Sequence, residues 1–181
     1  MSHDDLERDL PGVVSVYWGR CPETSYAGYG QMLRVAGRNL KVLGIWFLKS
    51  PDHFGEEFAL EPLKEHLDLF PMYPPMDFGQ SPTADEVATR ITRAMKLARE
   101  TLNSREYDLI VWDEALSACE QGLIPWEDLQ QLLDTRPDYL NLTLTGTACP
   151  DEVAAKAHTL LHFETARHHL DTQPPRRGLD R

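Results

Sequence analysis

Val13-Val-Ser-Val-Tyr-Trp-Gly-Arg-Cys-Pro-Glu-Thr-Ser25 is the stretch on which the fold turns. Residues 13–18 form a nearly continuous apolar run, which reads as a strand buried on both faces. Gly19 opens a turn-rich segment, and from about Thr24 to Ala36 the pattern becomes helical, closed by Gly37. A strand, a tight turn and then a helix is the context in which a phosphate-binding loop works. Glycines let successive backbone N–H groups converge on phosphate oxygens at the helix N-terminus. A lysine adds charge, and a Ser or Thr holds Mg²⁺.

Outward from this stretch the alternation continues. Lys41 to Leu48 reads as a second strand, and Leu67 to Phe70 as a short third one. Prolines at 71, 74, 75 and 82, with another upstream at 62, make the segment from Pro71 to Pro82 mostly extended or looped. Thr83 and Glu86 form a capping box that starts a long amphipathic helix with Val87, Ile91, Ala94, Met95, Ala98 and Leu102 on one face. Tyr107 to Trp112 is a buried strand ending in Asp113-Glu114. A short helix follows over Pro125 to Leu133, then a strand over Leu140 to Thr145. Pro150 to His158 reads as helical and Leu160 to Phe163 as a last strand. The expected fold is α/β, a three-layer open and mostly parallel sheet of about five to six strands with helices on both faces. It makes one domain over residues 1–181, with loose tails at 1–12 and 172–181. In such sheets ligands sit at the carboxyl ends of the strands. That rule selects Gly19 to Ser25, Asp113-Glu114 and Thr145 to Cys149.

Charge narrows the partners. The 181 residues carry 18 Lys and Arg against 29 Asp and Glu, a net charge of −11. Nucleic acid and anionic membrane both call for a basic footprint, so neither is expected as a main partner. No apolar run approaches the roughly 18 residues of a membrane helix, and the acidic N-terminus lacks a signal-peptide shape, so the cytoplasm is the expected location. Cys21, Cys119 and Cys149 are widely spaced and read as reduced thiols. His158 and His162 stand at i,i+4 on a helix or helix end, but no acidic third ligand is placed beside them, so no metal site is expected there. Trp18, Trp46, Trp112 and Trp126 read as core or helix-packing residues.

The loop departs from a working phosphate cradle. Gly19 and the Ser25 hydroxyl fit; Thr24 stands where the lysine belongs, Glu23 where a glycine belongs, and Pro22 removes one N–H donor. Arg20 is a candidate substitute cation. The same residues also fit an ordinary strand-to-helix turn. Leu109-Ile-Val-Trp-Asp-Glu114 has the form of a strand whose terminal acids position Mg²⁺ and its waters, or of two acids that cap the following helix.

Taken together, these segments resemble the ATP:corrinoid adenosyltransferase family of P-loop, RecA-like proteins. Gly30, Arg34, Gly37 and Lys41 fall on its glycine, its Arg-Ala-x-Gly helix end and its basic lead-in to the second strand. Trp46-Phe-Leu-Lys49 is similar to its Gln-Phe-Ile-Lys, and Tyr107 to Glu114 to its Tyr-Asp-x-x-x-x-Asp-Glu. Leu123 to Pro137 is similar to its Leu-x-x-Glu-Glu-Val through Arg-Pro. Thr145-Gly146 opens its Thr-Gly-Arg-Gly, and Arg176-Arg-Gly-Leu-Asp180 is similar to its C-terminal Arg-Arg-Gly-Ile-Glu.

The resemblance implies transfer of the 5′-deoxyadenosyl group from ATP to a Co(I) corrinoid, with triphosphate leaving, in a homodimer. ATP and corrinoid are then the substrates and Mg²⁺ the metal. By the same resemblance Gly19, Arg20, Cys21, Pro22, Glu23, Thr24, Ser25, Arg34, Lys49 and Thr147 face the nucleotide. Ser25, Asp113 and Glu114 face the metal, and Met76 and Phe78 take the corrinoid-facing positions of a Gly-Phe-x-Trp loop.

The departures fall on charge: the loop lysine is absent, and Thr147 replaces the arginine of Thr-Gly-Arg-Gly. Three readings follow. The chain is an active adenosyltransferase with Arg20, Arg34 or Lys49 supplying the missing charge. Alternatively it is a silent relative that binds a corrinoid, a nucleoside or a protein, or a nucleotide-binding protein with another reaction.

Overall fold

The computed structural model describes residues 10–21, 23–49, 59, 61–72 and 82–176. Pro22, Met76, Phe78 and the Pro74-Pro75 loop, together with the last five residues, lie outside the described residues. Six strands, β1 (Val14–Trp18), β2 (Val42–Trp46), β3 (Leu67–Pro71), β4 (Leu109–Asp113), β5 (Asn141–Gly146) and β6 (Thr159–His162), form one sheet in the order β3-β2-β4-β5-β1-β6. Every pairing is parallel.

The apolar runs of β2 and β4 form fully buried strands because both faces of the sheet are covered there, and the two-residue side-chain period sorts each of the two between two cores, whereas edge strand β6 stays largely exposed. On one face, α1 (Glu23–Ala36) packs Tyr29, Met32 and Ala36 against Val42, Trp46, Leu109 and Val111. The other face carries α2 (Ala84–Leu102), α3 (Ala115–Glu120) and α4 (Trp126–Asp134) over Val16, Leu43, Ile45, Ile110, Trp112, Leu142 and Leu144. The capping box expected at α2 is present: the Thr83 hydroxyl accepts from the Glu86 amide and the Glu86 carboxylate accepts from the Thr83 amide.

Three readings need correction. No helix was foreseen over residues 115–120, yet α3 begins directly behind β4. The helix expected over 150–158 is a single turn, α5 (Asp151–Ala154). His158 therefore lies in the connection into β6, where its Nδ1 accepts from the Val14 amide, while His162 ends β6. The two histidines are not a helical i,i+4 pair. Trp46 and Trp112 are fully buried, whereas Trp18 and Trp126 are only partly so.

Two glycines are fixed by close approach at the carboxyl end of the sheet. Gly19 has φ +151°, and a Cβ there would stand 2.2 Å from the Phe163 carbonyl oxygen. Gly146 has φ +154°, and its Cβ would meet the Ser117 amide nitrogen at 2.5 Å. The Gly19 amide donates to the Gly146 carbonyl at 3.0 Å, so the loops after β1 and β5 are joined backbone to backbone.

Candidate functional site

The site lies where β1, β2, β4 and β5 end, facing the N-terminus of α1. β4 places Leu109, Val111 and Asp113 toward α1. Asp113 is therefore buried, 1% exposed, at the bottom of the cleft. Its partners come from three neighbouring elements. Lys49 Nζ, three residues past β2, donates to Oδ2 at 2.9 Å, and the Tyr29 hydroxyl of α1 donates to the same oxygen at 2.6 Å. The Thr145 hydroxyl of β5 donates to Oδ1 at 2.7 Å. Lys49 is 11% exposed, and its ammonium also stands 5.0 Å from the centre of the Tyr29 ring.

Glu114 takes the left-handed conformation, φ 60°, and its amide donates to the Thr145 hydroxyl at 2.9 Å. Burial pushes its carboxyl up to about 7; the Asp113 charge adds to the rise and Lys49 opposes it. The folded state thus binds a proton on Glu114 that the unfolded chain has released. This contribution to stability is full below the ordinary value near 4.5 and fades as pH rises through about 7. Replacing Glu114 by Gln is expected to flatten the urea-denaturation profile between pH 5 and pH 8 by about 1–3 kcal/mol. Parallel profiles for the two proteins would refute this.

The loop after β1 is closed by its own side chains. Glu23 is the first residue of α1, so a carboxylate stands in the first turn, where the helix dipole favours an anion. Thr24 and Ser25 are buried, and the Thr24 hydroxyl turns back to the Cys21 carbonyl at 3.1 Å. The Cys21 thiol is raised, chiefly by burial and then by Glu23. Burial also pushes Cys119 up to about 12 and Cys149 up to about 11. All three are free thiols, protonated at neutral pH.

Arg20, although 81% exposed, pairs with Glu120 of α3 at 2.6 Å. The other oxygen of Glu120 accepts from the Thr147 hydroxyl at 2.5 Å, and Ser117 Oγ accepts from the Thr147 amide at 3.1 Å. Glu120 thereby joins the residues that follow β1 and β5 across a pocket of about 460 Å³, walled also by Trp18, Trp126, Cys149 and Pro150. Glu120 was missed by sequence reasoning. The run Ala115-Leu-Ser-Ala-Cys-Glu120, rich in helix formers, was the signal that could have found it.

Gly19, Arg20, Cys21, Glu23, Thr24, Ser25, Lys49, Asp113, Glu114 and Thr147 are thus gathered around the strand ends. Arg34 is not: it sits exposed in the last turn of α1, about 16 Å along the axis from Glu23 at 1.5 Å per residue.

Ser25, Asp113 and Glu114 are the residues that would hold Mg²⁺, an ion that keeps several waters and takes one or two carboxylates. Both oxygens of Asp113 accept hydrogen bonds, Oδ2 from the Lys49 ammonium and the Tyr29 hydroxyl, Oδ1 from the Thr145 hydroxyl. Among the described residues no cluster of three His, Cys, Asp or Glu could hold a metal ion. Nor is any described helix long and apolar enough to cross a membrane.

The architecture is an open, parallel six-stranded sheet with helices on both faces. It superposes on the flagellar accessory protein FlaH from Methanocaldococcus jannaschii with a TM-score of 0.52, at 14% identity over 90% of this chain and 77% of that one. The corrinoid adenosyltransferase of Escherichia coli K12 is 24% identical over 164 residues, 91% of this chain and 82% of its own. That of Pseudomonas aeruginosa is 23% identical over 161 residues, 89% and 79% of the two chains. The sequence profile of the ATP:corrinoid adenosyltransferase family BtuR/CobO/CobP matches residues 11–180. The chain belongs to the ATP:corrinoid adenosyltransferase family.

Proposed function

We propose that this chain is a family member without a triphosphate grip, a single-domain cytoplasmic homodimer that binds a corrinoid as a regulatory or carrier module. One observation carries the reading: the two cations beside the loop, Lys49 and Arg20, each already face a carboxylate of the same chain. Lys49 is held by Asp113 and Arg20 by Glu120, and Glu23 occupies the first turn of α1. An incoming triphosphate meets a carboxylate where the fold offers its helix N-terminus. At about 4 Å and an effective dielectric near 20, a like-charge pair costs roughly 4 kcal/mol. Charge stabilisation of the departing triphosphate, the family's usual gain, would have to draw on Lys49, buried against Asp113, or on Arg20, paired with Glu120.

Calorimetric titration with MgATP, alone and with a corrinoid, tests this. Saturable heat is expected with the corrinoid, and MgATP is expected to bind with Kd above about 1 mM. The retained Asp113-Glu114 pair at the end of β4 favours a second reading, an active adenosyltransferase in which Co(I) attacks C5′ of ATP and triphosphate departs. Tight MgATP binding, followed by the absorbance change of a new cobalt–carbon bond on adding Co(I) corrinoid, would establish that second reading and overturn the first.

A further inference from the structure

The chain that leaves β6 does not run into solvent. It crosses directly over the loop after β1. Two aromatic contacts fix its root: the His162 ring stacks on Trp18 at 3.9 Å between centroids, and Phe163 meets Tyr17 edge-on at 6.4 Å. The Phe163 amide donates to the Trp18 carbonyl at 2.8 Å, and the Phe163 carbonyl lies so close to Gly19 that a Cβ would not fit. Further along, Thr165 stands beside Cys21, where its hydroxyl opposes the rise of the thiol. His168 then brings Nε2 to 3.9 Å from Glu23 Oε1.

His168 is itself locally fixed. Its Nδ1 accepts from the Leu170 amide at 3.2 Å, its amide donates to Asp171 Oδ2 at 3.4 Å, and its ring stacks on His169 at 4.6 Å. These contacts belong to a 3₁₀ turn over His169–Asp171. Beneath the segment, Glu23 Oε2 is buried and has no hydrogen-bond partner among the described residues. The Glu23 side chain as a whole is 44% exposed, so its charge keeps contact with water through the other oxygen. The first turn of α1 supplies the dipole from one side and His168 faces the carboxylate from the other.

We propose that residues 163–171 form a strap that closes the loop, with Glu23 as its internal anchor in place of an external anion. The proposal deepens the reading that the loop holds no triphosphate and rests on it: the cradle is plugged from within and roofed by the chain's own C-terminal segment. Thr165 and His168 are the latch, and Cys21 is the group the latch covers.

Alkylation of the full-length protein by iodoacetamide, without any ligand, reads the latch directly. Peptide mass mapping follows Cys21 and uses Cys149 as the internal reference. His168→Ala and Thr165→Val are each expected to raise the Cys21 rate by roughly two- to tenfold, the range a single hydrogen bond or exposed ion pair commands, with Cys149 unchanged. The double variant is expected to exceed either single one. For Thr165→Val, chemistry alone would push the other way, since losing the hydroxyl leaves the Cys21 thiolate less stabilised. A faster rate therefore reports access. An unchanged or slower Cys21 rate in the double variant would overturn the strap. So would a parallel rise at Cys149, which reports general loosening. Because no nucleotide enters this experiment, its failure is separable from the finding of tight MgATP binding that would defeat the functional reading.

Discussion

Lys49→Met is expected to lower the unfolding free energy by about 3 kcal/mol, near the lower end of what removing one partner of a buried ion pair costs. Methionine keeps most of the aliphatic stem, so the loss falls on the ammonium. Asp113 is 1% exposed and would keep its Tyr29 and Thr145 hydrogen bonds but lose its only charged partner among the described residues. Those two surviving bonds are the reason for choosing the lower end. Adding Asp113→Asn removes the stranded charge while leaving an oxygen for one of the two hydroxyls, so the double variant should recover most of the loss. Urea denaturation of the single and double variants at neutral pH measures the coupling. A loss below about 1 kcal/mol in Lys49→Met, within the range of an exposed pair, would mean that Lys49 and Asp113 are not the buried unit described above.

That ion pair shows what could and could not be read from the chain. Lys49 and Asp113 were both singled out, one as a spare cation and the other as a metal-facing acid, because each follows an apolar strand. Their mutual engagement depends on β2 and β4 being neighbours in register, Trp46 beside Asp113, which puts the residues just beyond both strands in one cleft. Strand order is a non-local property, and the hydrophobic period contains no trace of it. The same holds for Arg20 and Glu120. They are 100 residues apart and meet only because β5 lies between β1 and β4, so that the helix behind β4 reaches the loop behind β1.

Strand positions, by contrast, were legible because a parallel sheet covered on both faces writes each strand as a short apolar run. The helix α3 was not legible for a local reason. Glu114 turns the chain in a single left-handed step, with no polar linker to announce a new element, and α3 then runs for less than two turns. At residues 150–158 the error ran the other way. Val153 alone buries itself, and the chain must return at once to hydrogen-bond Val14 through His158, which stops the helix after one turn.

Glu23→Gly combined with Thr24→Lys is expected to tighten MgATP binding by at least about 100-fold, close to 2.7 kcal/mol. The double change removes the carboxylate from the first turn of α1 and sets an ammonium one residue further on. It thus exchanges a repulsion of roughly 4 kcal/mol for an attraction of the same order, before other losses are counted. Three features hold the gain well below that sum. Pro22 still lacks its N–H, Thr147 brings no cation, and Arg20 remains paired with Glu120. The lysine must also leave a position where Thr24 is buried and bonded to the Cys21 carbonyl, so some reordering of the loop opposes binding. Glu23→Gly alone should deliver the smaller share, since it ends the repulsion and frees His168 but adds no cation. The two changes touch the same few atoms, so their effects are not expected to add simply. Calorimetry on the two single variants and the double one separates these contributions, with thermal denaturation as the check on folding. A folded double variant that binds MgATP no better than the parent chain would show that the backbone amides after β1 do not converge on an anion. Charge would then not be what keeps triphosphate out, and the loop's departure from a phosphate cradle would lie in its backbone path.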